Sequence, residues 1–540
     1  MPLPPSVPMD QPAEKKTDAV AGDGSTGAVV GNGDTVAPAH EEEALQPTSA
    51  ELSRAQSIAL VAAVSGAGFL NTFSSQAAVI TLPTISRDLS IPPGRQQLVI
   101  SVYGLAFGCF LLLWGRVADV FNKRTIFVVG SVWVTLSTAV TAFAPNEAAF
   151  HAFRALQGIG AAANVPTAIG VLGTTFARGK ARIYAFSFYS AATPLGSVLG
   201  NLLSGFIASY TSWKWVFGVL AILAACVTIA GYFTIPPQKP TALSTDARLL
   251  DRLDLLGAVL STTGLGSLLY VLSTGNQAGW ATPWVPVLIV VAVGLIIGFV
   301  VWERFLEARN NCPPLLRVSL FRNRDFSASM AVMCMLFASF NGYLVYTTIF
   351  YQDYQGLSAL QTTLRFIPTG VVGVIMAISI APLLSRISTV PVLLAGSLAT
   401  SLSSLLLAVP IPTHTSYFKY GLWAMILATL GADSTTPCLY SIVSHAVSDE
   451  YQAVAGAMLN VSMQLGRVLG LAIATATQTA VTAKARHVDV GGDTRVLPWD
   501  EASLKGIRAA DWLNFSFGIS SLVIIAAIFV RSGKPAQNTV

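Results

Sequence analysis

The chain has 540 residues, of which 53% are hydrophobic and only 11% charged, with a formal net charge of +5. An average soluble domain carries roughly 25% charged residues, so this composition excludes an ordinary soluble protein, and so small a net charge offers nothing for nucleic acid. Histidine is scarce and the five cysteines form no C-x-x-C pair, which removes a disulfide framework and a zinc site.

Residues 1–53 are rich in Pro, Gly, Ala, Asp and Glu and lack apolar periodicity. They are expected to form a disordered cytosolic tail, without the charged-then-apolar pattern of a signal peptide. Fourteen apolar stretches follow, at about 57–82, 97–114, 125–144, 149–172, 183–207, 214–235, 255–275, 284–304, 326–349, 364–385, 390–409, 418–443, 453–480 and 510–531. Each is near the ~20 residues that a helix needs to cross a bilayer. A helix satisfies its own backbone polar groups and so survives in lipid. The expectation is an all-α polytopic membrane protein of fourteen spans.

An even number of spans puts both termini on one side. Lys and Arg gather in the short segments of that side, around 116–124, 178–182 and 304–324, which assigns it to the cytosol. Residues 236–254 read as a cytosolic linker after a first six-helix bundle over 57–235. The stretches within 255–304 read as two extra helices, followed by a second six-helix bundle over 326–531 and a short cytosolic tail over 532–540.

No G-x-x-x-x-G-K-S/T phosphate loop occurs: Gly179-Lys180 is followed by Ala181, and Gly533-Lys534 by Pro535. An ATP-driven pump needs such a cradle on its own chain or a partner. No haem or metal pattern occurs either, so no cofactor is expected. No Ser, His or Cys constellation converges, so an enzyme is not expected. A secondary transporter, a channel and a membrane receptor remain.

The loop after the second stretch runs from Gly115 through Arg116, Asp119 and Lys123 to Arg124. Asp119 sits among cations and can pair with one, and Gly115 permits close helix approach. The plainer alternative is a solvated basic loop. In the fourth stretch, Arg154 is an expensive charge inside a span. It faces a polar cavity or snorkels to the nearby interface. Gly158 and Ala162, four residues apart, suit close helix packing. In the fifth, Ala192, Gly196, Gly200 and Ser204 repeat every four residues and make a groove for a neighbouring helix, with a kink at Pro194.

Asp433 in the twelfth stretch is the one carboxylate placed near the bilayer centre, and Arg467 lies near the middle of the thirteenth. An isolated charge there costs at least ~2.5–3.5 kcal/mol, so a partner or a wet cavity is expected. A carboxylate out of water favours its protonated form, as a reversible proton carrier requires. A static ion pair between the two helices is the alternative. Candidate cavity residues are the polar and aromatic side chains inside stretches: Asn71, Gln76, Tyr103, Asn164, Tyr189, Asn341, Tyr343, Asn460 and Gln464.

The segment Gly115–Arg124 resembles the G-x-L-A-D-R-x-G-R-K signature of the major facilitator superfamily, with Val120 in place of the Arg and Asn122 in place of the second Gly. Arg154–Ala162 is similar to that family's R-x-x-Q-G-x-G-A-A motif. The stretch from Ala192 loosely resembles its antiporter motif, with Thr193-Pro194 where Gly-Pro is usual. Further matches lie at Trp213–Phe217, Tyr351–Ser358 and Gln464–Gly466. Over about 55–531 the chain is similar to the fourteen-helix drug:proton antiporter branch of fungal type, near the aminotriazole-resistance and low-affinity ammonium transporter group.

The resemblance implies two six-helix bundles plus two extra central helices, alternating access and a monomer. It implies proton-coupled export of small amphipathic organic compounds, such as drugs or secondary metabolites, at the plasma membrane. The expected partners are such a substrate, protons and membrane lipid. It places Arg154 in proton coupling, where their position inside spans also puts Asp433 and Arg467. It places Gly115, Arg116, Asp119, Lys123 and Arg124 in a cytosolic gate. Many relatives have a small residue where Arg467 stands, so this arginine is a departure open to a substrate role. Gly158, Ala192, Pro194, Gly196 and Gly200 carry helix packing. The Asp that relatives often have in the first span is Asn71 here, which cannot titrate, so weight falls on Asp433. Low-affinity uptake of a small solute such as ammonium is the alternative within transport. A non-transporting receptor is the alternative of another class, and the short C-terminal tail counts against it.

Overall fold

A computed structural model of the chain describes residues 53–91, 96–177, 179–236, 254–309, 314–410, 412, 415–488 and 494–530. All of it belongs to the compact unit Glu51–Val540. The expected tails, and all but the ends of the linker, lie outside the described residues.

The apolar stretches are helices, and small polar residues mark many of their starts. Those described are α1 (Arg54–Asp88), α2 (Gln96–Val120), α3 (Lys123–Thr141), α4 (Glu147–Thr175), α5 (Lys180–Tyr210), α6 (Trp213–Thr234) and α7 (Leu255–Ala278). They continue with α8 (Trp284–Arg309), α9 (Arg324–Ile349), α10 (Ala359–Arg386), α11 (Thr389–Ala408), α12 (Gly421–Ala446), α13 (Gln452–Arg486) and α14 (Glu501–Ile525). Ser53 and Ser358 each form a reciprocal capping pair with a Gln three residues on, while Asn122, Asn146, Ser212 and Asp254 accept a first-turn N–H. Such caps satisfy donors that the helix itself leaves open.

Twelve of these helices are long and apolar enough to cross a membrane, and a thirteenth span arises if the two arms of bent α10 count as one. α12 is not among them. It packs Ser434 and Thr435 against Gly396 of α11, spending polar side chains on a helix contact. The fourteen expected stretches are therefore fourteen helices, of which α12 is the least apolar candidate.

Helix packing follows side-chain size. α1 lies on α5 and α6, α2 on α4, and α3 on α4 and α6; α9 lies on α13 and α14, α11 on α12 and α14, and α10 on α12. The two groups touch where α5 meets α10 and α12, and where α2 and α4 meet α13. α7 pairs with α8 and leans on α2 and α13. α4 is the most enclosed span, 83% buried over its apolar window, and α8 the least, at 17%. α4 owes this to Gly158, Gly160 and Ala161–Ala163, whose small side chains let backbones close in. Large apolar side chains point outward instead, such as Val290 and Ile378, 71% and 68% exposed.

A Cβ at Gly158 would stand 2.5 Å from the backbone carbonyl oxygen of Tyr103, and one at Gly294 would meet nothing within 4 Å. Gly158→Ala is therefore expected to cost about 1–3 kcal/mol, read as a lower melting temperature of the purified protein. Gly294→Ala is the comparison and should melt at or above the parent temperature. Equal melting of the two variants would contradict the packing argument.

Three expectations need correction. α14 begins at Glu501, not near 510, because Asp500 caps it by accepting the N–H of Ser503. The guanidinium of Arg486, 2.6 Å away, and the Ser503 hydroxyl hold the Asp500 carboxyl down at about 2. Second, the sharpest bend is not at Pro194, through which α5 runs as one helix. The sharp bend, 47°, lies in α10 between Met376 and Ile378. There Pro382 withholds an N–H from, and its ring crowds, the carbonyl of Ile378. Third, Asp433 is not the only carboxylate deep in a helix: Asp511, ten residues into α14, is fully buried.

Candidate functional site

Asp119 stands on the last turn of α2. Its Oδ1 accepts the N–H of Ala453 at 3.2 Å and its Oδ2 that of Val454 at 2.9 Å. These are the opening residues of α13, whose N–H groups have no partner within the helix and where the helix dipole favours a negative charge. Lys123 lies 3.4 Å from the same carboxylate. Gly115, one turn earlier, permits the approach, since a Cβ there would stand 2.7 Å from that of Ala457. Arg116 lies over the Tyr451 ring at 5.8 Å. Four of the five expected gate residues thus meet at the α2–α13 contact. Arg124 does not: it donates to the carbonyl of Tyr232, 2.7 Å away at the end of α6.

Arg154 is fully buried and does not snorkel. Its Nη1 donates to Ser74 Oγ at 2.7 Å and to Gln157 Oε1 at 2.6 Å, and its guanidinium lies 4.5 Å over the Tyr103 ring. Gln157 in turn donates to Thr138 at 2.7 Å. The Tyr103 hydroxyl donates to Asn71 at 2.5 Å, and Asn164 accepts from Ser131 at 3.3 Å. Asn71, Tyr103 and Asn164 line one small cleft beside this network, together with Ser74 and Gln157. Gln76 is apart from it, packed against Gly200 of α5. Gly196 meets the carbonyl of Phe69, so the small residues of α5 face α1 as expected.

A second cluster joins the two groups. Tyr189 of α5 meets Tyr440 of α12 edge to face at 6.1 Å, and Phe186 lies at the same distance from Tyr440. Asn460 donates to the Tyr440 hydroxyl at 3.4 Å, and Gln464 reaches the carbonyl of Gly104 on α2. Arg467 shares that face of α13, 3.4 Å from Gln464 Oε1 and 5.1 Å over Phe337. It forms no ion pair with Asp433 among the described residues, which counts against the alternative of a static pair.

Asp433 sits where α5, α10 and α12 meet. A Cβ at Gly373 would lie 3.4 Å from its Oδ2 and 2.8 Å from the ring of Pro194. That oxygen is buried and has no hydrogen-bond partner among the described residues. Pro194 therefore contributes to the α5–α10 contact.

Besides Gln76, two more expected cavity residues lie elsewhere. Asn341 is half-buried on α9, and Tyr343 belongs to a separate aromatic cluster with Tyr346, Phe350, Tyr351 and Tyr420. That cluster adjoins Asp511, whose Oδ1 accepts from Asn514 at 3.3 Å. Sequence reading set Asp511 aside because it falls at the very start of the 510–531 stretch, whereas α14 begins at Glu501. It also missed Glu303 of α8, which is fully buried and accepts the N–H of Leu316, next to the Asp254 carboxylate that Trp302 binds at 2.8 Å. A carboxylate at a helix start opposite an acid one turn from a helix end was the available signal.

Comparison with known proteins agrees with this architecture. The family model described as Major Facilitator Superfamily matches residues 64–471. The low affinity ammonium transporter of Saccharomyces cerevisiae is 28% identical, with 81% of each chain covered. The puromycin resistance protein pur8 of Streptomyces alboniger is 31% identical over 75% of this chain and 78% of its own. Efflux pump terJ of Aspergillus terreus is 25% identical over 85% of each. Among solved structures, the human organic anion transporter MFSD10 (TETRAN) superposes with a TM-score of 0.57 at 16% identity, covering 87% of this chain and 99% of that one. At that identity the likeness concerns the fold alone.

Proposed function

The chain belongs to the Major Facilitator Superfamily, a family of membrane transporters rather than enzymes, and we propose that it is a proton-coupled antiporter that exports small amphipathic organic compounds. All fourteen helices cross the membrane, with both termini and the Asp119 contact on the cytosolic side. α1–α6 and α9–α14 are the two bundles that rock about a midplane site, and α7 and α8 are the added pair. The protein works as a monomer in the plasma membrane. The α2–α13 contact is the cytosolic gate, closed when Asp119 caps α13.

The observation that carries the coupling is the Asp433 carboxylate, with its buried, unpartnered Oδ2 at the contact between the two groups. A carboxyl placed there changes its surroundings each time α5 and α10 separate. Asp511 has no such position, because α9 and α14 belong to one group. The names of the puromycin-resistance and efflux relatives support export. The name of the yeast ammonium transporter supports the uptake alternative.

The test of direction compares metabolites of cells and medium with and without the protein. A compound that accumulates in deleted cells and vanishes from the medium supports export. One that stays in the medium and falls inside the cells reverses the direction and removes the antiporter reading.

A further inference from the structure

Arg154 and Arg467 have different surroundings. Arg154 is sealed, with two hydrogen-bonding side chains and the Tyr103 ring around it. Arg467 has a single long contact, 3.4 Å, to the neutral oxygen of Gln464. A guanidinium offers five N–H donors in a planar fork. No carboxylate lies within ion-pair distance of Arg467 among the described residues, and its remaining donors are not among the buried, unsatisfied atoms. The side chain is half-buried, so these donors are not fully enclosed by protein.

Aromatic side chains surround the guanidinium and connect to the other group of helices. Phe337 of α9 lies under the guanidinium at 5.1 Å, and Tyr440 of α12 lies within its electrostatic reach. Tyr440 carries the edge contact to Tyr189 of α5. Asp433 precedes Tyr440 by seven residues and so lies two turns, or ~10 Å, along the same face of α12. Asp433 forms no ion pair with the arginine among the described residues.

We infer that Arg467 is an anion-binding subsite of the transport path, and that the substrate is an aromatic or conjugated organic acid. This rests on the reading of the chain as an exporter. The planar fork would take a carboxylate or an acidic phenol in two parallel hydrogen bonds, with the ring of the substrate against Phe337 and Tyr440. Binding supplies the counter-charge that the helices themselves withhold. Outward movement of an anion is also favoured by a membrane potential that is negative inside, whereas an ammonium ion would face a like charge at this point of the path.

Three probes with one ring system isolate the charge: 1-naphthoate, 1-naphthylmethanol and 1-naphthylmethylammonium. Thermal unfolding of the purified full-length protein is followed against the concentration of each. The naphthoate is expected to stabilise at a concentration at least ~10-fold below the other two. Arg467→Gln should bring it to the level of the alcohol, and Arg467→Lys should keep part of the advantage.

The inference is overturned if the ammonium probe stabilises as well as the naphthoate, if no probe stabilises, or if the naphthoate advantage survives Arg467→Gln. Should that variant not fold, the ranking on the parent protein decides alone. The measurement uses no gradient, so it is separable from the exporter reading. Anion preference without gradient-driven transport would keep the subsite and remove the coupling, and the reverse result would do the opposite.

Discussion

Asp433→Asn is expected to lower pH-gradient-driven transport by at least ~100-fold in sealed vesicles, with the protein made and inserted at parental levels. The substitution preserves shape and replaces only the group that can take and release a proton. No ion pair is lost, because the Asp433 Oδ2 has no partner among the described residues. The neutral amide also avoids placing an isolated charge where α5, α10 and α12 meet. Exchange of substrate between the two sides without a gradient should persist, since the rocking of the bundles needs no net proton movement in that assay. Asp511→Asn is the matched comparison. It removes a fully buried carboxylate that faces α9 within one group, and it should leave gradient dependence intact. Gradient-driven transport that survives Asp433→Asn would end the role assigned to this residue. Loss in Asp511→Asn alone would transfer that role to α14.

The second large effect concerns the contact between Asp119 and α13. Asp119→Ala removes two hydrogen bonds from N–H groups to a carboxylate, at 3.2 and 2.9 Å. Hydrogen bonds to charged groups contribute about 1.5–3 kcal/mol each. Loss of the pair therefore weakens the closed form by about 3 kcal/mol, or ~100-fold in the closed-to-open ratio, since every ~1.4 kcal/mol is tenfold. Lys123, left without its acid, adds to the opening. The readout is a cysteine placed at Ala457, which is fully buried at this contact beside Gly115, in a chain whose native cysteines have been replaced. Labelling from the cytosolic side should rise by one to two orders of magnitude in Asp119→Ala and less in Asp119→Asn, which keeps one acceptor. Unchanged labelling would mean that α13 is held by packing alone and that the carboxylate does not gate.

Both effects depend on residues that a reader of the sequence can find, but for different reasons. Asp119 announces itself by its company, a lone acid among cations between two apolar stretches. Asp433 announces itself by isolation, a charge in an apolar run. Arg467 announces itself in the same way, yet whether it pairs with Asp433 is a question of rotation about two helix axes, and periodicity is silent on it. The structure answers by turning Asp433 toward α10 and Arg467 toward Gln464 and Phe337.

The sequence by itself determined the helical class, the fourteen helices and the stretches of chain that enter them. Apolarity and length are local properties, and a helix completes its backbone hydrogen bonds without help from distant residues. It also marked Arg154 and the Gly115–Lys123 segment, because a charge or glycine at a fixed spacing is visible locally. Only the tertiary structure decided which faces meet. Asp119 finds its donors 334 residues away. Pro194 serves a contact with Gly373 while α10 takes the bend, and Tyr343 joins Asp511 rather than Tyr189. Each outcome is set by close packing between helices far apart in the chain, where a glycine or a methyl group decides how near two backbones come.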